Sequence, residues 1–428
     1  MKIIEGSPGA LIGRIAVPGD KSMSHRAVIL GALAEGQTQI YNFLFSDDCL
    51  KTVEAFKKLG ANIQLKNDYI IVDSEGYKSF QEPNSLIDLG NSGTTARLLL
   101  GLLSALPVSV TLTGDKSLQK RPMKRVIDPL SQMGAEFIHQ QFRLPITVKG
   151  STLNPIKYEL PVDSAQVKSA IILAGLLTNG ETVIIEPNRT RDHTERMLPI
   201  FNGEISRKGH KIIVKGKQTL TGASIHIPGD FSSAAFWIVG ALITPKSELI
   251  LENVGLNPTR IGLIEVLKRM GANIEINTTH YIGEEPVGTV NVKYSELKPT
   301  TVQKEEIPLM IDEVPLLALA ATQAEGEMVI SNLEELRYKE TDRIRAIGEV
   351  LTTLGAQIEE GKDYVKIKGK TALNGGEIES YGDHRIAMMG AIASLITNES
   401  VSIRQSECIN ISYPNFFEDF RQLLFKNK

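Results

Sequence analysis

Two hydrophobic patterns alternate along the chain. One is apolar on every side after a polar start: SMSHRAVILGALAEG, SGTTARLLLGLLSAL, SAQVKSAIILAGLLTNG, DFSSAAFWIVGALIT, DEVPLLALAATQAEG and DHRIAMMGAIASLIT. A helix with no polar face belongs in a core, so these six segments predict buried helices. The other pattern is amphipathic. Leu263, Val266, Leu267 and Met270 fall at i, i+3, i+4 and i+7, the spacing of one buried helix face. Such segments end alike, in FKKLGANIQ, LSQMGAEFI, LKRMGANIEI and LTTLGAQIEE, which place glycines at Gly60, Gly134, Gly271 and Gly355. A degenerate copy, FNGEI, supplies Gly203. Glycine stops each helix and a strand follows. The motif recurs roughly every 70 to 80 residues, a period that sets the architecture before any chemical motif does.

Each buried helix leads to a short β-type run such as TVIIE or MVISNL, then to the amphipathic helix, then to a hairpin such as DYVKIKG. The repeating unit is strand, helix, strand, helix, two strands (βαβαββ), and there are six. The sixth, with ISYPNFFEDFRQLL as its amphipathic helix, stops before its hairpin. Residues 2–17, KIIEGSPGALIGRIAV, read as the missing hairpin, so the N-terminus is expected to close the last unit. Two domains follow: repeats one to three as an inserted domain over 19–226, and repeats four to six, 227–428, with 1–18 as a discontinuous one. The fold class is α/β, with buried helices inside and sheets outside, an inside-out α/β barrel. An open solenoid would leave these helices lining exposed surface, for which they are too apolar.

Composition agrees with two domains. The 428 residues, 42% hydrophobic and 23% charged, are those of an ordinary globular protein and exceed what one core holds. A formal net charge of −3 argues against bulk nucleic-acid binding while leaving room for a local basic cleft. Cys49 and Cys408 alone give no disulfide framework or metal-ligand spacing. The N-terminal residues lack the basic head and apolar core of a signal peptide, and no apolar run approaches the ~20 residues of a membrane span. A cytoplasmic protein, bound to neither nucleic acid nor membrane, is expected.

If the six buried helices run alike, their starts gather at one end of each domain, and polar residues concentrate there. The first repeat offers Lys21, Ser22 and Arg26; the second Asn91, Ser92, Gly93, Thr94 and Arg97; the third Ser164, Gln166 and Lys168. The last three offer Asp230, Ser232 and Ser233, then Asp312, then Asp383, His384 and Arg385. Taken singly, the small residues are helix caps. Cations at a helix start are disfavoured by its partial positive charge, so their repetition calls for an external anion. The amphipathic helices begin with the same bias, in Lys116, Lys120, Arg121, Lys124 and Arg125, in Arg191, Asp192 and His193, and in Arg337, Lys339, Glu340 and Arg343. LGNSGTT is a glycine-bearing turn able to wrap an anion with backbone N–H groups. Neither GxxxxGK[ST] nor GxGxxG occurs, and the seven histidines show no metal-binding spacing. Asp312 and Glu340, set among cations, read as ion-pair partners or proton carriers.

With these residues in view, PGDKSMSHRA, LGNSGTTAR, KRPM, DSAQVKSA, RDHTERM, IDEVPLLALAA, RYKETDRI and GDHRIAM resemble, in order, the motifs of the 5-enolpyruvylshikimate-3-phosphate synthases (3-phosphoshikimate 1-carboxyvinyltransferases) of the enolpyruvyl transferase family. The resemblance runs through the whole chain. It implies two domains of three repeats closing on shikimate 3-phosphate and phosphoenolpyruvate at the interdomain cleft, as a monomer, with no cofactor or metal and with glyphosate as inhibitor. It assigns Lys21, Gly93, Arg121, Gln166, Arg343 and Arg385 to phosphoenolpyruvate. Ser22, Arg26, Ser164, Gln166, Arg191, Asp312 and Lys339 go to shikimate 3-phosphate. Asn91 and Thr94 join the substrate-binding set from the anion-wrapping turn. Ala165 contributes backbone only, because many members have Ser there, and Ile411 stands where some members carry a further phosphoenolpyruvate-binding Lys.

In the implied reaction the 5-hydroxyl attacks C2 of phosphoenolpyruvate while C3 takes a proton, and a tetrahedral intermediate expels phosphate. Asp312 would deprotonate or orient the hydroxyl, and Glu340, assisted by Lys21, would protonate C3. Two substrates bring about five to six negative charges together, which only a cationic, preorganised cleft can overcome. Two rivals share related repeats. Transferases acting on UDP-N-acetylglucosamine usually carry a reactive Cys in the loop here reading TGDKSLQKRP, which has none, and an RNA-terminal phosphate cyclase should be basic.

Overall fold

In a computed structural model, which describes residues 1–6 and 9–425, the chain forms two compact units. One comprises Met1–Pro18, Pro228–His280 and Pro286–Lys428, the other Gly19–Ile227 and Tyr281–Glu285. The sequence places the boundary one residue earlier, at 226/227, and does not separate 281–285. These five residues are the tip of a hairpin formed by strands Asn273–Ile282 and Glu285–Lys293. The tip joins the second unit because Glu285 Oε1 lies 2.6 Å from His193 Nδ1, and Arg196 Nη1 donates to the Glu284 carbonyl at 2.5 Å.

The six all-apolar segments form central helices: Lys21–Leu33, Gly93–Ser104, Ala165–Leu177, Phe231–Ile243, Val314–Thr322 and His384–Ala393. Every residue of the fourth is buried. The second and third touch backbone to backbone, for a Cβ on Gly101 would lie 2.2 Å from the Ala170 carbonyl oxygen. Side-chain caps start five of the six, from Asp20, Ser92, Ser164, Asp230 and Asp383. Gly60, Gly134, Gly271 and Gly355 all adopt positive φ, between +90° and +104°, as a helix stop requires. In the degenerate third copy Asn202, φ 60°, takes that conformation in place of Gly203.

Around the helices stand six separate sheets, none of them closed among the described residues. The second repeat shows the plan: Ile87–Asp88 runs parallel to Ser109–Thr113, which pairs antiparallel with Arg143–Lys149, itself paired with Glu136–Gln140. At 18/19 and 227/228, where the chain changes unit, the strand before the boundary pairs outside the repeat that follows it. Ala10–Ala16, ahead of the first central helix, lies parallel to Glu248–Gly255 of the fourth repeat, while Ser224–His226, ahead of the fourth helix, lies parallel to Ala34–Tyr41 of the first.

The expected N-terminal hairpin does not form. Lys2–Ile4 pairs antiparallel with Val401–Arg404 in the sixth repeat's sheet, whereas Ala10–Ala16 lies in the fourth repeat's sheet, flanked by Leu424–Phe425. The reason is burial, since Leu11, Ile15 and Val17 pack into the first unit's core with the fourth central helix. Residues 7 and 8 of the expected hairpin lie outside the described residues. The C-terminal helix Phe416–Leu423 closes that core, Phe416 stacking on Trp237 at 5.0 Å between ring centroids.

Candidate active site

Caps and ion pairs place the candidate residues in two clusters, one in each unit. In the second unit, Lys21 opens the first central helix and its Nζ lies 3.0 Å from Asp48 Oδ2. Burial would raise the Asp48 carboxyl, but Lys21 and His25 outweigh it and hold the group well below its usual range. Arg26 is almost wholly buried and donates to the Ser22 carbonyl at 3.0 Å, to Ser169 Oγ at 2.9 Å and to Thr194 Oγ1 at 2.7 Å. The first helix is thereby tied to the third and to the segment carrying Arg191, which is half-buried between strand Glu181–Ile185 and helix His193–Met197.

Gln166 joins the second and third helices. Its Oε1 accepts from Arg97 Nη1 at 2.8 Å and its Nε2 donates to Thr94 Oγ1 at 3.1 Å. Arg121, also buried, donates to Asn91 Oδ1 at 2.7 Å, and Asn91 donates to Asp115 Oδ2 at 2.7 Å. Gly93 sits under both arginines, for a Cβ there would lie 2.8 Å from Arg97 Nη1 and 3.0 Å from Arg121 Nη1. Ser164 is a cap accepting from the Val167 amide at 3.4 Å, and Ala165 begins the helix behind it.

In the first unit Arg343 is the hub. Its guanidinium, 1% exposed, reaches Asp312 Oδ1 at 3.0 Å, Glu340 Oε2 at 2.6 Å and Asp383 Oδ2 at 2.8 Å. Burial disfavours its charge, but Asp383, Glu340 and Asp312 more than compensate and raise its pKa. Lys339 Nζ stands 3.3 Å from the same Asp312 oxygen, and Arg385 spans Asp312 at 3.7 Å and Glu313 at 3.5 Å. All five candidates of this half, Asp312, Lys339, Glu340, Arg343 and Arg385, therefore meet. Ile411 packs partly buried against the core. No group of three or more His, Cys, Asp or Glu side chains is placed to hold a metal ion, and no helix is long and apolar enough to cross a membrane, among the described residues.

Several cations at helix starts are met by carboxylates of the chain and need no external anion: Lys21 by Asp48, Lys168 by Glu186 and Glu195, and Arg343 and Arg385 by Asp312, Glu313, Glu340 and Asp383. Arg26, Arg97 and Arg121 bond instead to carbonyl, hydroxyl and amide oxygens. Sequence reasoning missed Asp48, Glu186, Glu195 and Glu313 as partners. An acid in the first turn of a helix, as Asp48 is, reads as a complement to the helix dipole. A lone acid closing an apolar strand, as Glu186 does, is the only signal that could have flagged a buried ion pair.

The two halves differ in balance. Lys21, Arg26, Arg97, Arg121 and Arg191 make the second unit's cluster cationic, whereas the first unit sets Lys339, Arg343 and Arg385 against four carboxylates. One half is thus equipped to hold anions, the other to handle protons as well.

The family model for EPSP synthase (3-phosphoshikimate 1-carboxyvinyltransferase) matches residues 6–420. The chain is 48% identical over 418 residues to the 3-phosphoshikimate 1-carboxyvinyltransferase of Oceanobacillus iheyensis, covering 97% of each. It is 50% identical over 415 residues to the enzyme of that name from Petrotoga mobilis, covering 96% of each. The solved EPSP synthase of Acinetobacter baumannii superimposes with a TM-score of 0.88 at 42% identity, over 99% of this chain and 98% of that one. The enolpyruvyl transferase NikO from Streptomyces tendae, 17% identical over 98% of this chain and 96% of its own, shares the fold with a TM-score of 0.78. The chain belongs to the EPSP synthase family.

Proposed function

We propose that the chain transfers the enolpyruvyl group of phosphoenolpyruvate to the 5-hydroxyl of shikimate 3-phosphate and releases phosphate, a transferase step of the shikimate pathway toward chorismate and the aromatic amino acids. Family membership over nearly the full length carries this reading. The chain is read as a monomer acting in the cytoplasm. The second unit's cationic cluster takes phosphates and carboxylates, and the first unit's cluster, with its added carboxylates, moves protons as well.

The contacts support the roles that the family resemblance implies. Asp312 accepts or orients the proton of the 5-hydroxyl as its oxygen bonds to C2 of phosphoenolpyruvate, while C3 gains a proton. The tetrahedral intermediate then loses a proton from the methyl group formed at C3, and the bond between C2 and the phosphate oxygen breaks to expel phosphate. Glu340 serves as the acid at C3, with Lys21 assisting. At rest Glu340 accepts from Arg343 at 2.6 Å, which favours its ionised form. A substrate carboxylate taking over Arg343 would release Glu340 to carry a proton. Lys21, Gly93, Arg121, Gln166, Arg343 and Arg385 hold phosphoenolpyruvate. Ser22, Arg26, Ser164, Gln166, Arg191, Asp312 and Lys339 hold the acceptor, together with the Ala165 backbone.

Phosphate release should require both substrates and neither ATP nor added metal, and glyphosate should compete with phosphoenolpyruvate. Equal turnover with UDP-N-acetylglucosamine as acceptor would overturn the reading.

A further inference from the structure

Lys168 is a helix-start cation that the proposed reaction leaves without a role. It lies on the third central helix with its side chain fully buried, as is that of Glu186. Its Nζ stands 2.7 Å from Glu186 Oε1 and 2.9 Å from Glu195 Oε1, and donates to the Thr190 carbonyl at 3.4 Å. Glu186 Oε1 also accepts from the Thr190 amide at 3.0 Å and from its hydroxyl at 2.5 Å, while Arg207 binds the other oxygen. Burial pushes the Glu186 carboxyl up, yet Lys168 and Arg207 bring it below its usual value.

These anchors bracket one residue. Thr190 precedes Arg191 and Glu195 follows it by four, so Lys168 grips the chain on both sides. Thr194, between them, meets Ser169 Oγ at 2.8 Å and accepts from Arg26. The buried Lys168–Glu186 pair, flanked by the half-buried Glu195 and Arg207, is a poor source of net stability, because apolar groups of the same shape usually do as well. Their effect on geometry is direct, since a fixed backbone lowers the entropy lost when a guanidinium is immobilised on an anion.

We infer that Lys168 is a positioning residue: through Glu186, Glu195 and Thr190 it fixes segment 190–195 and so holds the Arg191 guanidinium in place for the acceptor substrate. The inference rests on the reading above that Arg191 binds shikimate 3-phosphate.

Steady-state kinetics with each substrate varied in turn, alongside thermal unfolding, test it on Arg191→Ala, Thr190→Val, Lys168→Met and the double variant Lys168→Met/Glu186→Gln. The double variant removes one buried charge of each sign, so it decides the matter if the single one fails to fold. Arg191→Ala should raise KM for shikimate 3-phosphate, and both Lys168 variants should raise it about tenfold. Thr190→Val should raise it by a smaller factor, with kcat and KM for phosphoenolpyruvate within about twofold of wild type in the Thr190 and Lys168 variants. A raised KM in Arg191→Ala with a wild-type KM in the double variant overturns the positioning role and leaves the Arg191 assignment standing. Comparable losses in kcat and both KM values across the Lys168 variants also overturn it, since they mark general destabilisation. An unchanged KM in Arg191→Ala overturns the reading on which the inference rests.

Discussion

Asp312 Oδ1 meets Arg343 Nη1 at 3.0 Å, while Nε of the same guanidinium is held at 2.8 Å by Asp383, the cap of the sixth central helix. A candidate proton carrier is thus fixed to a buried cation that is itself fixed to a helix start. Removing the Asp312 charge leaves Arg343 with Asp383 and Glu340, so the fold should survive the loss.

Asp312→Asn and Glu340→Gln should therefore each lower kcat by ~10² to 10⁴, the usual worth of a general acid or base, with much smaller changes in KM. Stopped phosphate-release measurements on the two purified variants read this directly. Near-normal turnover in both would return the two carboxylates to plain ion pairing.

Gly93→Ala places its methyl against two guanidiniums, at 2.8 Å from Arg97 Nη1 and 3.0 Å from Arg121 Nη1, so both must shift. Phosphoenolpyruvate and glyphosate should both bind more weakly. The longer inhibitor should suffer more, and a penalty of ~1.4 kcal/mol specific to it is tenfold in relative affinity. An unchanged ratio of the glyphosate inhibition constant to the phosphoenolpyruvate KM would make Gly93 a helix-start glycine and nothing more.

The Asp48 carboxyl is held below its usual value in the folded chain, the balance of burial, which raises it, against Lys21 and His25, which lower it further. Its contribution to stability is then complete above the unfolded value of about 4 and disappears as pH falls toward the folded one. Urea unfolding of wild type and Asp48→Asn should show a constant stability gap from about pH 7 to 5 that narrows below about pH 4. A gap that stays the same down to pH 3 would rule out this linkage.

Gly101 permits the backbone contact between the second and third central helices. Gly101→Ala brings a methyl to 2.2 Å from the Ala170 carbonyl oxygen, which no side-chain rotation relieves. The cost should be at least ~1 to 3 kcal/mol, seen as a lower melting temperature. An unchanged melting temperature would show that the helices separate freely.

Periodicity made the helices legible. An all-apolar segment has one place to go, and Gly60, Gly134, Gly271 and Gly355 mark helix ends because a left-handed φ favours glycine. Asn202 shows the limit, for asparagine also tolerates that conformation and Gly203 beside it draws the eye. The strand exchange was not legible. Ala10–Ala16 alternates like any half-buried strand, and nothing local says that its partner begins at Glu248. In the site, Asp312, Arg343 and Arg385 stood out by kind and place. Glu313, the partner of Arg385, was hidden by its neighbour, and Glu186 by the apolar run it ends.

The pairing of Lys2–Ile4 with Val401–Arg404 and of Ala10–Ala16 with Glu248–Gly255 has a consequence for how the protein is made. On a ribosome the opening strands emerge first and find their partners last. At about 5 to 20 residues per second, Lys2–Ile4 waits roughly 20 to 80 seconds for its neighbour to be synthesised. Meanwhile Gly19–Ile227, which lacks only 281–285 of the second unit, is already made and free to fold around its own core. A nascent chain halted near residue 270, with 19–227 clear of the ribosome, should thus carry one protease-resistant unit and an N-terminal tail that is still cleavable.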